Sequence, residues 1–133
     1  MRKSTQTALG EILLADDEPA ILLTFKAVLE DAGFRVRAVP TLEEARESVR
    51  KGSFDAIISD FSLEREGLGL ELAREAKKLS KPPAVVLYTG NPTEERLRAA
   101  LNLPVDYFAF QPIDIDEIRS ALFRLISRRS NMC

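Results

Sequence analysis

Three acids in a row, Asp16, Asp17 and Glu18, interrupt two apolar runs in "EILLADDEPAILL". Like charges that close repel one another, and a carboxylate taken out of water without a partner is costly. Other polar groups also end apolar runs: Asp60 after "AIIS", Thr89 at the end of "AVVLYT", and Gln111 after "YFAF". Histidine is absent and the single cysteine, Cys133, is terminal. That removes His-based triads, His-ligated zinc and a thiol nucleophile from consideration. Chemistry in this chain must use carboxylates, hydroxyls, amines or a bound hard cation. Mg²⁺ takes one or two carboxylates together with waters and a phosphate oxygen, so it would let Asp16, Asp17 and Asp60 coexist. Plainer readings stand beside this one. Asp17 and Glu18 also suit the positive end of a helix, and Asp60 also suits an ordinary strand-end turn.

Positioning these groups requires elements, and the apolar pattern supplies them. Short runs rich in β-branched or aromatic residues, "EILLA", "FRVRAV", "DAIIS", "AVVLYT" and "VDYFAF", alternate with helix-spaced segments at about 18–32, 41–51, 68–80, 92–102 and 114–128. Five strand-then-helix units predict an α/β domain with a parallel sheet. "ILLA", "AIIS" and "AVVL" are continuously apolar, as in central strands covered on both faces, whereas Arg35 and Arg37 alternate with Phe34, Val36 and Ala38 as on an edge. Thr41 with Glu44, and Asp114, sit where helix N-caps belong, and Gly33 and Gly52 where helices end. In a doubly wound sheet, ligands bind outside the carboxyl ends of the strands, which is where Asp16, Asp17, Asp60, Thr89 and Gln111 fall.

The chain has 133 residues, 45% hydrophobic and 30% charged, with a formal net charge of -2. One domain with a real core is expected: an arm over 1–9, the domain over 10–128 and a frayed tail over 129–133. The charge gives no reason to expect a nucleic-acid or membrane partner, no run approaches a membrane span, and the lone cysteine suits a reducing cytoplasm.

In order and spacing, "LLADDEP", "AIISDFSL", "VVLYTG" and "FAFQPID" together resemble the receiver domains of two-component response regulators over roughly residues 10–128. The resemblance implies a CheY-like, flavodoxin-like fold: a five-stranded parallel sheet of order 2-1-3-4-5 with five helices. It makes Asp60 the acceptor of a phosphoryl group from a sensor histidine kinase, a phosphotransfer protein or a small phosphodonor. Asp17 and Asp60 would hold Mg²⁺ directly with the Ser62 carbonyl, and Asp16 would act mainly through bound water. Thr89 would move to bond the phosphoryl group and Phe108 would follow it inward as the switch aromatic. The Gln111–Pro112 bond would be cis. The domain would promote its own phosphorylation and dephosphorylation without being a turnover enzyme.

Two departures from the family stand out. Gln111 occupies the place of a lysine whose charge pairs with the acceptor carboxylate and then with the phosphoryl group; an amide keeps a donor and loses the charge. In "DFSLEREGLGLEL", Glu64 stands where proline is common and the loop is longer. Gly67 and Gly69 permit positive φ there, and Glu64 is either a repeller of incoming phosphate or a solvated loop acid.

Output would pass through a downstream protein target. The face built from the segments 92–102 and 114–128 and the fifth strand, with Arg96, Arg98, Arg119 and Tyr107, is the implied docking or homodimer surface. Gln111 leaves open a degenerate receiver that acts as a phosphorylation-independent interaction module. A nucleotide- or flavin-binding domain on the same fold is disfavoured, since "ADDEPA" would repel the phosphate that a glycine-rich turn cradles.

Overall fold

The structure is a computed structural model, and it describes residues 9–90, 93, 95, 98, 105–111 and 113–131. The five apolar runs form five strands, β1 (Glu11–Ala15), β2 (Arg35–Val39), β3 (Ala56–Asp60), β4 (Ala84–Thr89) and β5 (Tyr107–Phe110). All pair in parallel, in the order β2-β1-β3-β4-β5. Parallel pairing requires a crossover between each pair, and helices provide it after β1, β2 and β3. The helices are α1 (Pro19–Asp31), α2 (Leu42–Lys51), α3 (Leu68–Lys77) and α4 (Ile115–Asn131).

Among the described residues there are four helices, not five. The expected helix over 92–102 lies almost wholly outside them, and so do Arg96, Pro112 with its peptide bond, residues 1–8 of the arm, and Cys133. The last helix continues to Asn131, past its expected end at 128. Its Arg129 guanidinium donates to Asp55 at 3.1 Å and to the carbonyls of Pro82 and Lys81 at 2.8 and 3.2 Å. Arg129 therefore belongs to the folded body and not to a frayed tail.

Helices cover both faces of the sheet, which explains the unbroken apolar character of β1, β3 and β4. On one face Phe25 and Leu29 of α1 and Ile118 and Leu122 of α4 pack against Ile12, Leu14, Ile58, Val86 and Tyr88. On the other, Leu42 and Ala45 of α2 and Leu70, Leu72, Ala73 and Ala76 of α3 pack against Leu13, Ile57, Val85 and Leu87. At the β2 edge Val36 is buried while Arg35 and Arg37 are exposed, with Arg35 paired to Glu11 at 2.7 Å.

Capping agrees with the sequence. The Glu44 amide donates to Thr41 Oγ1 at 3.1 Å, and Asp114 Oδ1 accepts from the amides of Asp116 and Glu117. α2 has a second N-terminal partner that spacing does not reveal. Glu64, from the loop after β3, accepts the Leu42 amide at 2.6 Å. Thr41→Ala is expected to cost about 0.5 kcal/mol in a urea unfolding measurement, at the lower end of cap losses because Glu64 still holds the adjacent amide.

Candidate functional site

β1 and β3 are neighbours that end side by side, and this brings the acids together. Asp16 and Asp17 follow the last residue of β1, and Asp60 is the last residue of β3. Carboxylate oxygens of Asp16, Asp17 and Asp60 lie within 4.8 Å of one another. The three carboxylates thus converge at the strand ends, where the sequence places them. An all-oxygen set of this size suits a hard divalent cation and no soft metal. The three acids differ in setting: Asp16 is buried at 1% exposure, Asp60 is half-buried and Asp17 is exposed.

Hydrogen bonds fix two of them. Asp60 Oδ1 accepts the Ser62 amide at 3.0 Å, which turns the loop back over the strand end. Asp16 Oδ1 accepts the Glu18 amide at 2.8 Å, closing the turn into α1. Asp16 Oδ2 accepts from the hydroxyl of Tyr88. Burial, followed by the hydrogen bond and charge of Asp16, holds the Tyr88 phenol far above its ordinary value, so it stays a proton donor. Sequence reasoning placed Tyr88 only as part of an apolar strand. The available signal was a phenol in an otherwise aliphatic central strand, since a buried hydroxyl needs a partner.

The remaining expected residues line the same rim. Thr89 ends β4, next to β3, and is 1% exposed. Its carbonyl accepts the Gln111 amide at 2.9 Å, so Thr89 and Gln111 are tied through the backbone. The Gln111 side chain is exposed and folds over Gly90, its Oε1 occupying the space that a Cβ on Gly90 would need. Phe108 is half-buried and stacks on Phe61, the residue after Asp60, with ring centroids 6.1 Å apart, and it also stacks with Phe110 at 5.5 Å.

Glu64 is an exposed loop acid, as one of its two expected readings has it, and it also has a structural partner. It adopts φ 66° and caps α2, as described above. Of the two glycines expected at positive φ, only Gly67 takes it, at 80°. Gly69 is required for a different reason, a close approach to the backbone of Asp60 and Phe61. On the face expected for docking, Arg119 pairs with Asp116 at 2.9 Å and the Tyr107 hydroxyl donates to Glu117. Among the described residues, no helix is long and apolar enough to cross a membrane.

Comparison with known proteins agrees with this geometry. The model of the response regulator receiver domain matches residues 12–123. The KDP operon transcriptional regulatory protein KdpE of Escherichia coli K12 is 29% identical over 119 residues, covering 90% of this chain and 52% of KdpE. The alginate biosynthesis transcriptional regulatory protein AlgB of Pseudomonas putida is 28% identical over 127 residues, covering 96% of this chain and 28% of AlgB. The chain thus spans about half of KdpE and less than a third of AlgB. Among solved structures, a CheY-like receiver domain from Methanospirillum hungatei superimposes with a TM-score of 0.85 at 25% identity, covering 95% of this chain and all of that one. The receiver domain of a Pseudomonas aeruginosa sensor histidine kinase, solved with a magnesium ion in its active-site cleft, has a TM-score of 0.79 at 25% identity, over 89% of this chain and 98% of its own. With the acids of β1 and β3 converging at the carboxyl edge of a 2-1-3-4-5 sheet, this chain belongs to the response regulator receiver domain family.

Proposed function

We propose that Asp60 accepts a phosphoryl group in a Mg²⁺-dependent reaction, delivered by a sensor histidine kinase, a phosphotransfer protein or a small phosphodonor. The domain then signals to a downstream protein target. The observation that carries this reading is the convergence of the carboxylates of Asp16, Asp17 and Asp60 within 4.8 Å at the strand ends. Asp17 and Asp60 would hold the ion with the Ser62 carbonyl, and Asp16 would bind its water. When bound, Mg²⁺ offsets the repulsion between the carboxylates and the incoming phosphate.

The chain's own part is positioning. The Ser62 amide, donating to Oδ1, orients the Asp60 carboxylate for attack on phosphorus. As the Asp60 O–P bond forms, the bond from phosphorus to the donor's nitrogen or oxygen breaks and its electron pair leaves with the donor. Thr89 then bonds a phosphoryl oxygen, and Phe108 slides on the Phe61 ring as the switch aromatic. The result is a phosphoprotein that promotes its own loading and hydrolysis and not a turnover enzyme. A cytoplasmic place goes with that role, and the face around Tyr107 and Arg119 is the proposed contact surface, including for a homodimer.

The test is intact mass after incubation with a small acyl phosphate and Mg²⁺. A gain of one phosphate supports the reading. No gain, with Mg²⁺ binding verified separately, overturns it in favour of a phosphorylation-independent interaction module. One observation favours that second reading: the neutral Gln111 side chain folds over Gly90. Gln111→Lys is expected to enlarge the phosphate-induced shifts of β5 amide resonances in NMR spectra, by adding an ion pair to the phosphorylated state. Unchanged shifts would show that Gln111 does not limit the switch.

A further inference from the structure

Tyr88 lies on β4 and Asp16 follows β1, and β3 lies between those strands. The phenol therefore reaches across the width of β3 to meet its acceptor. Its ring is fixed by the core: Tyr88 is 1% exposed and packs on Phe25 of α1 with centroids 5.6 Å apart. Both Asp16 oxygens are engaged, Oδ1 by the Glu18 amide and Oδ2 by Tyr88. Asp16 is buried and the side chain at 111 is a neutral amide, so hydrogen-bond donors carry the stabilisation of this buried carboxylate.

We infer that Tyr88 is a positioning residue for the metal site: its hydroxyl holds Asp16 Oδ2 away from direct coordination and stabilises the acidic cluster in its metal-free state. This rests on the proposed Mg²⁺-binding role of Asp16, Asp17 and Asp60. Loss of the hydroxyl leaves a buried carboxylate oxygen short of a donor and open to a cation. The metal-free domain becomes less stable, and the cation, which replaces the missing donor, binds more tightly. A role in packing alone would give the first effect without the second.

Three measurements test this on the full chain. Calorimetric titration with Mg²⁺ is expected to give Tyr88→Phe a dissociation constant about ten- to a hundredfold lower than wild type, the range expected for one hydrogen bond to a charged group. Its thermal midpoint without metal should be lower, and added Mg²⁺ should close most of the gap. In Asp16→Asn, the further change Tyr88→Phe should leave the affinity unaltered. The chain has no tryptophan and two tyrosines, so in Tyr107→Phe the emission of Tyr88 is isolated. It should rise saturably with Mg²⁺ as the ion draws charge from Asp16. Wild-type Mg²⁺ binding with equal or weaker binding by Tyr88→Phe would overturn this inference alone. Absence of Mg²⁺ binding by wild type would overturn both it and the metal-dependent function.

Discussion

Asp60→Ala is expected to abolish phosphate incorporation from an acyl phosphate, with the fold intact. This carboxylate, at the end of β3, supplies both the proposed nucleophilic oxygen and a place in the cluster of Asp16, Asp17 and Asp60. Its removal would eliminate the proposed attacking atom and one side of the proposed cation site together. Folding should survive, because Asp60 is half-buried and its deletion relieves repulsion with Asp16 and Asp17. The cost is the acceptor for the Ser62 amide, worth about 1 kcal/mol. Asp60→Asn restores that acceptor without restoring a nucleophile, so it separates the two losses. Intact mass with and without each substitution decides the matter, and phosphate on the alanine variant would move the site elsewhere.

The largest expected loss of stability from a small change is at Gly69. A Cβ there would collide with the Asp60 carbonyl oxygen and come within 3.0 Å of both the carbonyl carbon and Phe61 Cα. These are backbone atoms, so no rotamer change relieves the clash. The Gly69 amide also donates to the Phe61 carbonyl at 3.0 Å, which fastens the first turn of α3 under the acceptor loop. Gly69→Ala must either pry α3 from β3 or displace Asp60, at a cost of about 1–3 kcal/mol or more. Gly67→Ala is the control. It has open space around it and only the penalty of φ 80°, about 1 kcal/mol. Urea midpoints should fall further for Gly69→Ala. Its Mg²⁺ affinity should fall as well, since the atoms that must move belong to Asp60. An equal or smaller loss than at Gly67 would show that the approach is not tight.

Much of this was legible in the sequence because the relevant physics is local or periodic. Continuous apolar runs at "ILLA", "AIIS" and "AVVL" mean strands covered on two sides, and the arginine alternation at Arg35 and Arg37 means an edge. Polar residues ending those runs mark the ligand rim, so Asp16, Asp17 and Asp60 could be grouped before any coordinates. What escaped were contacts between residues distant along the chain. Glu64 caps a helix that begins 22 residues earlier, and Tyr88 bonds an acid 72 residues away. Neither partner can be chosen from spacing. Gly69 was read for its backbone freedom, whereas its value lies in having no side chain beside Asp60. The end of α4 was set too early because Arg129 looked like a polar tail until its three acceptors at the far end of the sheet were in view.

The carboxylate of Glu64 gives the acceptor loop a natural reporter. The Leu42 amide sits in the first turn of α2, where a backbone N–H has no partner within its own helix, yet it donates to a loop that begins at Asp60. Its protection against hydrogen–deuterium exchange therefore depends on the closed loop and not on helix formation. Breathing of the loop would unmask this proton while the amides deeper in α2 stay protected, so the exchange of a single amide reports the opening of the segment that carries the proposed phosphoacceptor.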